Sequence, residues 1–140
     1  KGRNLVLIKP TTYMNLSGRA VKYWMDKEKI PVEHTLTIVD DLAFPLDTLT
    51  LRATGSDAGH NGLKSIHECI GTTAYPKLRF GIGNNFPKGR QVDYVLGRWT
   101  DEEISLVNKK VAACCEIVEN FASIGLERTM NLYNNIKYTV

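Results

Sequence analysis

The sequence predicts an α/β fold of three layers, with a mixed, mostly parallel sheet flanked by helices. Three observations predict it. Strand-like runs alternate with helical patterns, the order that lays helices on the faces of a sheet. Asn4-Leu5-Val6-Leu7-Ile8-Lys9 is a continuous apolar run of the kind that strands buried on both faces carry. Thr48–Arg52 follows the strand before it by only a short turn, so at least one strand pair is antiparallel.

The elements follow in order. The run 4–9 reads as a buried strand ended by Pro10, which offers no ladder donor. Leu16, Ala20, Val21, Trp24 and Met25 recur at helical spacing, which predicts an amphipathic helix over 16–29, stopped by Pro31. Leu36–Val39 reads as a strand closing on Asp40-Asp41. Thr48–Arg52 alternates, with Leu49 and Leu51 on one face. After the glycine-rich stretch Gly55–Gly62, a helix over 62–70 puts Leu63, Ile66 and Ile70 on one side. Residues 77–83 read as another strand and 93–96 as a short edge element. Thr100-Asp101-Glu102-Glu103 is a capping box with acids at the positive helix end. The helix it opens shows a stripe of Ile104, Val107, Val111, Cys114, Val118 and Phe121. Gly125 breaks it, and a last helix runs over 126–134. With no repeat and no linker, residues 1–140 read as a single domain.

Composition narrows the classes. Apolar residues make up 43% and charged residues 24%, a globular profile rather than a disordered one. No apolar run reaches the roughly 20 residues of a membrane span. The adjacent pair Cys114-Cys115 and the lone Cys69 suit neither a metal knuckle nor a disulfide framework, so they read as thiols of a reducing cytoplasm. Residues 1–100 carry 14 Lys/Arg against 9 Asp/Glu, and residues 101–140 carry 4 against 6. That asymmetry hints at a polyanionic partner on one side.

Asn15, Asp40, His60 and Asn61 each lie at or just beyond a strand end, where open α/β sheets gather ligands. Each also has a plainer reading. Asn15 and Asn61 can be helix caps, Asp40 and Asp41 a solvated turn, and His60 a side chain packed in a tight loop. Arg52 and Arg79 can be ordinary solvated strand residues. Taken together, two amides suit a carbonyl oxygen gaining negative charge, and an aspartate suits orienting a base histidine. The sequence has no GxSxG, HExxH or P-loop. The reaction class left is water attacking an acyl group, with a histidine as base, no covalent intermediate and no metal or cofactor.

Five linked stretches resemble the bacterial-type peptidyl-tRNA hydrolase family: Pro10–Gly18, Val39–Leu42, Gly59–Lys64, Leu78–Gly83 and Val95–Gly97. Order and spacing match over nearly the whole chain. The resemblance implies a monomeric cytoplasmic enzyme, needing no metal, that cleaves the ester between a peptide and the tRNA 3′ end. It implies that Asn15 positions substrate or water, that Asp40 orients the base histidine, and that Asn61 stabilises the oxyanion. His60 would line the same cleft, and Tyr13 and Met14 would border the peptide channel. Arg52 and Arg79, with Lys64 and Lys88 as further contacts, would grip tRNA phosphate.

The family pattern starts with a strand and a loop bearing an Asn and the base His, several dozen residues ahead of the equivalent of Lys1. The resemblance therefore implies a chain truncated at its N-terminus, inactive for want of its base, with an exposed sheet edge. Asp57 would also set a negative charge near the RNA path. Two rivals stand beside this reading. One is a non-catalytic RNA-binding homologue of the splicing-cofactor kind, which an apolar helix surface would favour. The other is a hydrolase of a different acyl ester.

Overall fold

The computed structural model describes residues 3–83 and 99–139. The predicted edge element over 93–96 and Lys88 lie outside the described residues. The chain groups into two compact units, one made of Lys1–Thr37 with Arg52–Lys77 and the other of Ile38–Leu51 with Leu78–Val140.

In the first unit, a 3-10 turn at Met14–Leu16 leads into helix α1, Ser17–Glu28. Lys29 ends α1 in the left-handed conformation, its N–H donating to Met25 O, two residues before the proline taken as the stop. Helix α2, Asn61–Ile70, turns Leu63 and Ile66 inward and ends at Gly71 in the same left-handed way. The two helices meet where Gly18 faces Ser65. Gly18 N–H donates to Ser65 Oγ at 2.8 Å, and a Cβ on Gly18 would stand 2.2 Å from Ser65 O. Only glycine allows that approach.

The second unit is built around a three-stranded sheet ordered β1-β3-β2: Thr37–Asp41 (β1), Leu49–Arg52 (β2) and Lys77–Gly81 (β3). Along β1 and β3 the pairings rise together, from Thr37 N–H on Pro76 O to Ile82 N–H on Asp41 O, so that pair is parallel. The last residue of β3 meets the entry to β2 through Gly81 N–H on Thr48 O, so that pair is antiparallel. The sheet is mixed, as expected, but β2 finds its antiparallel partner in β3 rather than in the strand it follows. β2 is an edge strand whose edge is covered. Asn134 accepts from Leu51 N–H and donates to Leu51 O, both at 2.8 Å, as a neighbouring strand would. Helix α3, Asp101–Ile124, opens on the predicted capping box, with Thr100 and Glu103 satisfying each other's backbone N–H. Gly125, at φ 91°, separates it from α4, Leu126–Tyr133.

Two expectations are corrected. Residues 4–9 form no strand; Leu5, Val6 and Leu7 are exposed, Leu7 by 80%. Among the described residues no strand lies beside them to complete a ladder, and an apolar run without a partner has no reason to extend. The buried face of α3 is Leu106, Lys110, Ala113, Cys114 and Ile117, not the stripe from Ile104. Ile104 and Val111 stay 43% and 48% exposed. The helix is apolar around much of its girth, so its spacing alone did not select a face.

Candidate active site

Helix capping in the first unit decides what its two asparagines are free to do. α2 is capped by His60, whose Nδ1 accepts from Gly62 N–H at 3.1 Å and Leu63 N–H at 3.3 Å. Those bonds use the Nδ1 lone pair, so the ring carries its proton on Nε2. Asn61 is therefore the first helical residue and not the cap, and its side chain is exposed. Asn15 caps nothing either. It lies inside the 3-10 turn, the residue preceding α1 is Leu16, and neither element has a side-chain cap. Ser17 Oγ donates to Met14 O at 2.7 Å and closes that turn. The plain capping reading of both asparagines is overturned, and His60 takes the role.

The same unit brings several predicted residues together. A Cβ on Gly62 would lie 2.8 Å from both Met14 Sδ and His60 Cε1, so Met14, Gly62 and His60 are packed side by side. The 3-10 turn carrying Tyr13, Met14 and Asn15 thus rests on the start of α2, and the Gly18–Ser65 contact fixes that placement. Tyr13 and Asn15 face solvent from this turn. The loop ahead of His60 is shaped by Asp57, whose Oδ1 accepts from Gly59 N–H at 2.8 Å while Ala58 and Gly59 take positive φ. Asp57 is therefore a turn-builder. Arg52 and Lys64 are exposed cations of this unit.

The second unit holds the acidic pair. Both Asp40 and Asp41 belong to β1, which runs two residues further than the sequence pattern placed its end, so neither is a solvated turn residue. Asp40 is half-buried. Asp41 is buried; its Oδ1 accepts from Ala43 N–H at 2.8 Å, and its Oδ2 accepts from Arg79 Nη1 at 3.1 Å. The Asp41 and Arg79 side chains are only 7% and 10% exposed. Arg79 is therefore not the solvated strand residue of the plain reading, and much of its charge is already answered.

Sequence reasoning passed over three buried side chains. Asp41 was weighed only as turn solvation. Lys110 of α3 is fully buried, donating to Leu46 O and Gly81 O at 2.7 Å each, with the Phe80 ring centroid 3.8 Å away. Burial lowers its pKa to about 8. Cys114, one turn further on, is pushed up to about 11, first by burial. Lys77 is buried over the Tyr75 ring and donates to Thr73 O. The available signal was helical arithmetic: Lys110 falls on the line joining Leu106, Ala113 and Ile117. Among the described residues no group of three His, Cys, Asp or Glu converges to hold a metal, and no helix is long and apolar enough to cross a membrane.

A mixed-sheet α/β chain offering uncommitted amides and a strand-end carboxylate, with no nucleophile motif, defines a class of polar-site α/β proteins. Comparison with known proteins places it more closely. The peptidyl-tRNA hydrolase family model matches residues 1–139, and the chain belongs to that family. It is 58% identical to the peptidyl-tRNA hydrolase of Phocaeicola vulgatus over 134 residues, covering 96% of this chain and 72% of that protein. Identity is 55%, with the same coverage, to the peptidyl-tRNA hydrolase of Porphyromonas gingivalis. The crystal structure of the Acinetobacter baumannii peptidyl-tRNA hydrolase superposes with a TM-score of 0.83 at 31% identity. That alignment covers 91% of this chain but 65% of the solved one, just under two thirds of its length.

Proposed function

We propose that this chain contributes to hydrolysis of the ester joining a peptide to the 3′ end of tRNA, acting in the cytoplasm as a monomer. Water attacks the ester carbonyl and a new carbon–oxygen bond forms. The bond to the ribose oxygen breaks, and the proton lost by water passes through a base to that oxygen. The side-chain N–H groups of Asn15 and Asn61 are the donors for substrate and for the developing oxyanion. Tyr13, Met14 and His60 border the acyl chain, and Asp40 orients the base histidine. All of this is assigned to residues 1–140 as one domain. The observation that carries it is that Asn15 and Asn61 face solvent without capping a helix, in a chain of this family.

None of the three histidines is assigned as the base. His60 spends Nδ1 on a helix N-terminus, His67 packs edge-on to Tyr75, and His34 is exposed in a 3-10 turn. On this reading the 140 residues alone hydrolyse peptidyl-tRNA slowly, by the ~10²–10⁴ that a general base is worth. Arg52 and Lys64 take most of the phosphate contact, with Lys88 as a further contact. Arg79 contributes less, because Asp41 already neutralises it.

The test is peptidyl-tRNA hydrolysis by the product of the complete reading frame. Asp40→Asn is expected to slow it by orders of magnitude, and an unchanged rate rejects the assignment. Binding of tRNA should weaken steeply with salt, and Arg52→Ala should flatten that slope more than Arg79→Ala does. A salt-independent affinity would point to a different acyl ester. One observation favours the non-catalytic RNA-binding alternative: Ile104 and Val111 lie exposed, seven residues apart, on α3. That alternative predicts RNA binding with no ester cleavage.

A further inference from the structure

The turn that carries the chain away from Asp40 is held at most of its carbonyl oxygens. Asp41 O accepts from Ile82 N–H, Phe44 O from Gly83 N–H, Pro45 O from Thr48 N–H, Asp47 O from Tyr138 N–H and Thr48 O from Gly81 N–H. Ala43 N–H is taken by the Asp41 carboxylate, which Arg79 holds in turn. A Cβ on Gly81 would stand 2.1 Å from Pro45 O, so the turn lies directly against the end of β3. Leu46 O is reached from α3, by Lys110. The same ammonium holds Gly81 O, one residue before the N–H that ties down Asp41. Lys110 thus joins the far limb of the turn to the strand end beside Asp40. Its surroundings add Asp47 from the turn and Cys114 from its own helix, with Lys137 3.8 Å from Asp47 and Tyr138 beyond.

We propose that Lys110 is a positioning residue for Asp40, clasping the turn after β1 to the end of β3 so that the carboxylate is presented in one orientation. The inference rests on the role given to Asp40 above. A buried cation is an expensive way to satisfy two carbonyls, and an apolar side chain of similar volume is often the more stable choice at a charged buried site. What the ammonium adds is direction: two short bonds from one atom to two different segments. A misplacement of about 1 Å at a catalytic group can lower a rate 10²-fold.

The experiment compares Lys110→Met and Lys110→Arg with the wild type in the product of the complete reading frame, below the melting temperature of each. Lys110→Met should lower kcat on the order of 10- to 100-fold with KM held within ~2-fold, and Lys110→Arg should recover part of the loss. On an Asp40→Asn background, Lys110→Met should add little, since both changes remove the same contribution. A fall in melting temperature with kcat unchanged would overturn the proposal and leave Lys110 a packing residue. If the wild type cleaves no peptidyl-tRNA, the functional reading fails, and a second measurement decides the inference. The 13Cγ resonance of Asp40 in the 140-residue chain should move in Lys110→Met while that of exposed Asp26 does not; an unmoved Asp40 resonance overturns it. Should Lys110→Met fail to fold, Lys110→Gln serves in both measurements.

Discussion

Asn15 and Asn61 stand in solvent at the mouth of α2, while from Asp41 to Thr48 most of the carbonyl oxygens are bonded. The two regions handle polar groups in opposite ways. In the first unit one imidazole satisfies the helix end, which leaves both amides uncommitted. In the second unit a carboxylate, a guanidinium and an ammonium are buried so that one turn has a single shape. The contrast teaches where stability and function separate. Side chains left out of the fold's hydrogen bonds stay available to a ligand, and groups that fix geometry are consumed by them.

The largest effect is expected where a buried ion pair loses one partner. Arg79→Met leaves the Asp41 carboxylate buried without its partner, which typically destabilises by about 3–5 kcal/mol. Equilibrium denaturation reads it. A loss below ~1 kcal/mol, the range of surface pairs, would erase the distinction between the two regions.

Proton linkage gives the second effect. Lys110 titrates near pH 8 in the fold against 10.5 unfolded, so the unfolded chain binds the extra proton between those values. Stability therefore rises with pH through that window. Cys114 works the other way. Its thiol holds its proton to about pH 11 rather than 9.0, so stability falls between those values. Denaturation midpoints should climb from pH 8 to 9 and then level off. Lys110→Met should abolish the climb, and Cys114→Ala should let it continue past pH 9. A flat profile in the wild type would remove the buried ammonium from the account.

The two glycine contacts test whether both regions depend on close backbone approach. Gly81→Ala and Gly18→Ala each drive a Cβ into a carbonyl oxygen, at 2.1 and 2.2 Å, and neither oxygen belongs to a flexible side chain. Each should destabilise by ~1–3 kcal/mol or more. His60→Ala ranks below them. It removes a helix cap, worth ~1 kcal/mol, and a loss near zero would mean that Nδ1 is not the acceptor.

Much of this was legible in the sequence, and the reasons differ by region. The capping box at Thr100, the break at Gly125 and the alternation of Leu49 and Leu51 are local signals, and the structure follows them. The failures are of another kind. Asn4–Lys9 has strand composition, but a strand needs a neighbour, and composition does not supply one. Helix α3 has two apolar stripes, and only its tertiary surroundings choose the one with Leu106 and Ile117. At the candidate site, Asn15, His60 and Asn61 were all singled out, yet which of them caps α2 depends on a side-chain torsion that no spacing reveals. The partnership of Asp41 with Arg79 spans 38 residues and had no local trace.

The smallest expected effect is the one on which the contrast turns. Asn15→Ala and Asn61→Ala remove exposed side chains that cap neither helix, so each should change stability by no more than ~0.5 kcal/mol. The same substitutions should lower peptidyl-tRNA hydrolysis in the product of the complete reading frame, on the order of 10²–10³-fold if the lost amide is an oxyanion donor. Paired denaturation and rate measurements on one preparation separate the two quantities. A variant that lost stability and rate together would show its amide serving the fold, and the first region would then resemble the second. A variant that kept both would leave the amide with neither task, and the carboxylate of Asp40 would have to carry the reaction without that donor.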